Sequence, residues 1–88
     1  MASYKLVFKK SVAKDLTAIP AKDVGRILQR IETLREDPRP AGCERLSALE
    51  RYRVRQGIYR IVYEVADDRL VVIGVKVGHW KETCRRLK

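Results

Sequence analysis

The hydrophobic positions of this chain change their period twice. Tyr4, Leu6 and Phe8 alternate with Lys5, Val7 and Lys9, the two-residue period of a half-buried strand. The spacing then lengthens. Val12, Leu16 and Ile19 fall on one face of a short helix that Ser11 can cap and Pro20 stops. A longer helix is predicted from about Ala21 to Glu36, with Val24, Ile27, Leu28, Ile31 and Leu34 as its apolar stripe. Gly25 weakens that helix by about 1 kcal/mol relative to Ala, a cost that close packing against a neighbour would explain. Asp37-Pro38-Arg39-Pro40-Ala41-Gly42 breaks the pattern.

From Arg51 the period returns to two. Tyr52 and Val54 share one face, Arg53 and Arg55 the other. Gln56-Gly57-Ile58 is a tight turn into a strand over 59–65, where Tyr59, Ile61, Tyr63 and Val65 alternate with Arg60, Val62 and Glu64. Ala66-Asp67-Asp68-Arg69 reads as the next hairpin turn, which also accounts for its paired carboxylates. The stretch 70–77 is almost wholly apolar, so it is predicted as a central strand covered on both faces, ended by Gly78. The order is β-α-α-β-β-β. It describes an α+β fold with two N-terminal helices packed on one face of a small, mainly antiparallel sheet. With no linker or repeat, residues 1–88 are expected to form one domain, its arginine-bearing sheet face left open.

Charge narrows the choice of partner. The 88 residues carry 20 Lys+Arg against 11 Asp+Glu, a formal net charge of +9. Nine basic and six acidic side chains lie in residues 1–44, eleven and five in 45–88, so the strand-rich half is the more basic. Such a balance points to nucleic acid or another acidic partner. The longest uncharged apolar run, 70–75, falls far short of the roughly 20 residues a membrane span needs. The first ten residues lack the apolar core of a signal peptide, so a cytoplasmic location and no membrane partner are expected. Cys43 and Cys84 stand apart and there is one His, so neither a metal site nor a cofactor is expected.

Arg53 and Arg55 project in the same direction, and Arg60 lies just across the hairpin. Lys81, Arg85 and Arg86 can reach the same surface from the tail. Arginine suits phosphate because its planar fork of donors stays charged at any working pH. Tyr52, Tyr59, Tyr63 and Trp80 interleave with these cations, an arrangement that permits base stacking, although alternation favours core packing for Tyr59 and Tyr63. His79 with Cys84 lacks an evident third group to orient a nucleophile–base pair. No P-loop, GxGxxG or HExxH is present.

The stretch 52–65, YRVRQGIYRIVYEV, resembles the RelE branch of the RelE/ParE family of toxins from bacterial toxin–antitoxin modules, as does Val75-Lys76-Val77-Gly78-His79. The opening strand, Lys14-Asp15-Leu16 and Ile19-Pro20 fit as well. This resemblance implies a RelE-like, microbial ribonuclease-like fold that cuts mRNA in the ribosomal A site without metal. The ribose 2′-OH would attack the adjacent phosphate to leave a 2′,3′-cyclic phosphate and a 5′-OH. Arg53 and Arg55 match the family's substrate-contacting basic positions, and Arg60 its arginine at the scissile phosphate. Trp80, Lys81, Arg85 and Arg86 are then expected to hold RNA and ribosome. The tail departs from the pattern, with Trp80 where the family has Arg and Cys84 where it has Tyr. The implied partners are a cognate antitoxin, the ribosome with its mRNA, and operator DNA for the antitoxin complex. A ParE-like inhibitor of DNA gyrase, or a weakened toxin that mainly binds antitoxin, is the alternative.

Overall fold

In the computed structural model, which describes residues 3–46 and 51–79, these spacings become two helices and five strands. They run β1 (Lys5–Phe8), α1 (Lys10–Thr17), α2 (Ala21–Thr33), β2 (Glu44–Arg45), β3 (Arg51–Gln56), β4 (Tyr59–Ala66) and β5 (Val71–His79). One sheet holds all five strands in the order β1-β5-β4-β3-β2. Only β1 and β5 are parallel. The expected α+β architecture holds, with one strand added. β2 is a two-residue edge strand, too short to show a period in sequence. The apolar 70–77 stretch is interior as expected, with β5 lying between β1 and β4, and β4 is the middle strand of the five.

The helices cover one sheet face. Val12 from α1 and Ile27 and Ile31 from α2, with Leu34 just beyond, cluster with Tyr52, Val54, Ile61, Tyr63, Val65, Val72 and Val77. Burying these side chains is what holds the two layers together. The rest of the helix prediction needs adjustment. Helix α2 ends at Thr33 rather than Glu36, and Leu28 is exposed. A Cβ built at Gly25 would meet no atom within 4 Å, so no neighbour demands that glycine. Pro20 does not stop α1, which ends at Thr17; it stands at the N-cap of α2, where a missing N–H costs nothing.

Ser11 does not cap α1 either, because Lys9 holds the N-cap. Its hydroxyl instead donates to the carbonyl of Val75 at 2.7 Å. The reason lies in the sheet edge. Strand β1 ends opposite Gly74, one residue before the register of β5 shifts against β4. Beyond that point β5 has no outer strand among the described residues, and α1 supplies polar groups along that edge. Asp15 accepts from the Val77 amide at 3.1 Å and from Lys76 Nζ at 2.7 Å. These bonds satisfy backbone groups that an open edge would leave to another chain.

Candidate nucleic-acid interface

Hairpin β3–β4 sets the arginine face. The turn Gly57-Ile58 joins Gln56 to Tyr59, and Gly57 takes a φ of +61°, which favours glycine at that position. From there the register is fixed. Arg55 stands opposite Arg60, Arg53 opposite Val62 and Arg51 opposite Glu64. Residues directly opposite share a face, so all six lie away from the helices, while Tyr52, Val54, Ile61 and Tyr63 face the core.

The arginines of this row have unlike surroundings. Arg51 Nη2 meets Glu64 Oε2 at 2.6 Å, a cross-strand ion pair. Arg53 Nη2 meets Glu44 Oε2 at 3.0 Å, from the strand on its other side. Arg55 is exposed and donates through Nε to the carbonyl of Gly57 at 3.2 Å. Arg60 is half-buried between Arg55 and Gly78, with neither Nε nor Nη1 bonded to any described residue and both shut off from solvent. A buried donor without an acceptor costs about 1–3 kcal/mol, more when charged, and an anion placed against this guanidinium would relieve that cost. Positive charge therefore concentrates at the turn end of the row, and carboxylates offset it at the far end.

The face is less open than the alternation implies. Val62 is fully buried, and Arg53 and Lys76 stand opposite it in β3 and β5. Long basic side chains can cover an apolar neighbour with their methylenes, and here both heads are held by carboxylates, Arg53 by Glu44 and Lys76 by Asp15. Arg60 is correspondingly half-buried, not freely solvent-facing.

The aromatic expectation divides. Tyr63 is buried in the core, where its hydroxyl donates to Pro38 O at 2.6 Å, and burial pushes its phenol pKa up. Tyr59 packs against the core from a half-buried position. Tyr52 is also buried, its ring 5.9 Å from that of Tyr63, with Arg39 over it at 5.1 Å; it offers no surface for a base. His79 lies opposite Tyr59, one residue out of phase with Arg60, and so belongs to the helix side. Trp80, Lys81, Cys84, Arg85 and Arg86 lie outside the described residues. Among the described residues, no cluster of three His, Cys, Asp or Glu side chains could hold a metal ion, and no helix is long and apolar enough to cross a membrane.

Two participants escaped the sequence reading. Glu64 was within reach, since counting back from the Gly57-Ile58 turn puts it opposite Arg51. Glu44 was not, because a two-residue strand leaves no periodic trace.

Two helices on one face of a mostly antiparallel sheet, with a row of arginines on the other, define a small α+β protein with a cationic sheet face. Comparison with known proteins gives that class a family. Residues 6–83 match the model of the ParE toxin of the type II toxin–antitoxin system, parDE. A Methanocaldococcus jannaschii protein assigned as the toxin RelE1 is 35% identical over 75 residues, which cover 80% of this chain and 83% of that one. A chain of the Mycobacterium tuberculosis RelBE2 toxin–antitoxin complex superposes with a TM-score of 0.80 at 22% identity, over 90% of this chain and 93% of its own. In the RelB–RelE antitoxin–toxin complex from Methanococcus jannaschii the TM-score is 0.73 at 27% identity, over 93% and 99%. This chain belongs to the RelE/ParE family of type II toxin–antitoxin toxins. The relative at 35% identity is a RelE toxin, and it does not favour the gyrase alternative.

Proposed function

We propose that the protein is a ribosome-dependent mRNA endoribonuclease that halts translation in the cytoplasm until its cognate antitoxin neutralises it. The observation that carries the reading is Arg60, a guanidinium with two buried, unbonded nitrogens on the arginine face of a RelE/ParE-family sheet. Arginine hardly deprotonates, so its role is electrostatic rather than that of a general base. In the reaction the 2′-oxygen loses its proton and bonds to phosphorus. The bond from phosphorus to the 5′-oxygen then breaks, and that oxygen takes up a proton. Negative charge builds on the phosphorane in between, and fixed cations stabilise it without having to reorganise. Arg60 is assigned to the scissile phosphate, and Arg55, directly opposite, to the same charge or the next phosphate. Arg53 contributes from beside them. Trp80, Lys81, Arg85 and Arg86 are assigned to RNA and ribosome contact on sequence grounds, and the ribosome supplies the orientation that a shallow site cannot.

RelE chains are solved with RelB antitoxins in complexes from Mycobacterium tuberculosis and Methanococcus jannaschii. By that likeness this chain takes an antitoxin whose acidic or amphipathic segment covers the basic face, and the complex binds operator DNA. The test is expression without antitoxin, followed by primer extension on cellular mRNA. Cuts at A-site codons are expected together with arrested translation. Growth arrest with intact mRNA contradicts the nuclease reading.

A further inference from the structure

The row of arginines carries its own counter-ion. Glu44 lies on edge strand β2, directly opposite Arg53, and its carboxylate meets that guanidinium at 3.0 Å. The two partners differ sharply in exposure: the Arg53 side chain is 15% exposed, that of Glu44 58%. A largely buried guanidinium needs a partner, whereas a largely exposed carboxylate can return to water at little cost. The pair is therefore easy to open from the Glu44 side. A phosphate can take the carboxylate's place, since it offers oxygens to the same fork of donors.

We infer that Glu44 is a displaceable internal counter-ion of Arg53 that competes with RNA phosphate for it. The inference rests on the reading of this face as a phosphate-contacting surface. Glu44 is a positioning residue that acts through Arg53. It tunes how many cations are offered to RNA, while Arg55 and Arg60 at the turn end need no carboxylate to leave. The second carboxylate of the face, Glu64, is no match for it: Arg51 and Glu64 are similarly shielded, 27% and 26% exposed, so neither partner leaves at low cost.

The test uses the full-length chain and a 2′-O-methyl single-stranded 12-mer, which binds without being cut, titrated across a series of salt concentrations. Glu44→Gln keeps the size of the side chain and removes the charge. Its expected effect is tighter binding by about 2- to 5-fold, the worth of one exposed ion pair. The slope of log affinity against log salt should steepen by about 0.7, one further phosphate contact on a single strand. Thermal stability should not rise, which separates the effect from a better-folded protein.

Arg53→Ala supplies the decisive background. There Glu44→Gln should bring no gain, because the cation it competes for is gone. An equal gain in both backgrounds would reduce Glu44 to a long-range charge and overturn the inference, as would unchanged affinity in Glu44→Gln. Arg60→Ala separates the two failures. If it lowers oligonucleotide binding while Glu44→Gln changes nothing, only the role of Glu44 falls. If wild type and Arg60→Ala bind alike, the phosphate-contacting reading falls and takes this inference with it.

Discussion

Four arginines within ten residues of sequence end in four surroundings: Arg51 on Glu64, Arg53 on Glu44, Arg55 on the turn carbonyl of Gly57, and Arg60 on no described acceptor. Composition counts them as equal charges. The hairpin register separates them, and part of it was legible, because one turn glycine fixes Arg55 opposite Arg60. The offsetting carboxylates were harder to see, since Glu44 comes from a strand without a pattern. At this scale Tyr63 gives a clean check on the core. Its hydroxyl is buried and donates to Pro38 O, so Tyr63→Phe leaves that carbonyl short of a donor. A loss of about 1 kcal/mol is expected from denaturant unfolding. An unchanged midpoint would mean that the bond does not hold the 35–43 loop to the sheet.

Between elements, the contact of α1 with β5 does what a sixth strand would have done. Ser11 and Asp15 sit one turn apart on α1 and reach the carbonyl of Val75 and the amide of Val77. The sequence showed Ser11 next to a helix start, and local capping was the natural reading. It fails because the demand for a hydrogen bond comes from β5, more than sixty residues away. Asp15 carries the larger share, as both oxygens are used and its side chain is 15% exposed, against 19% for Lys76. Asp15→Ala should cost about 1.5–3 kcal/mol, the range for hydrogen bonds to a charged group. Amide exchange at Val77 should quicken as well. Stability loss with Val77 still protected would place the effect in α1 alone.

Across the whole molecule, distant segments are tied at the sheet end opposite the Gly57 turn. Asp67, in the β4–β5 turn, accepts from Tyr4 Oη at 2.8 Å and from Arg39 Nη2 at 2.7 Å. Arg39 reaches on through Nε to Tyr52 Oη at 2.8 Å. The Arg39 guanidinium first, and the Tyr4 hydroxyl second, hold the Asp67 carboxyl below its ordinary range, while the same bond to Asp67 pushes the Tyr4 phenol up. A carboxyl whose pKa is depressed on folding stabilises the fold above its unfolded pKa and stops doing so as pH falls through the folded value. The thermal midpoints of wild type and Asp67→Asn should therefore differ at pH 7, draw together as pH falls past the ordinary aspartate value of about 4, and converge only below the depressed folded value. A gap that persists through acid would contradict this coupling. Sequence reading took Asp67 for turn chemistry because nothing local announces a partner 28 residues earlier.

The central claim concerns the orphan guanidinium, and in vitro translation with end-mapping of the mRNA tests it most directly. Wild type should cut at A-site codons and leave 5′-OH ends. Folded Arg60→Ala should cut about 100- to 1,000-fold more slowly, the usual effect of removing one preorganised donor from developing charge. Cleavage by folded Arg60→Ala at the wild-type rate would contradict the account.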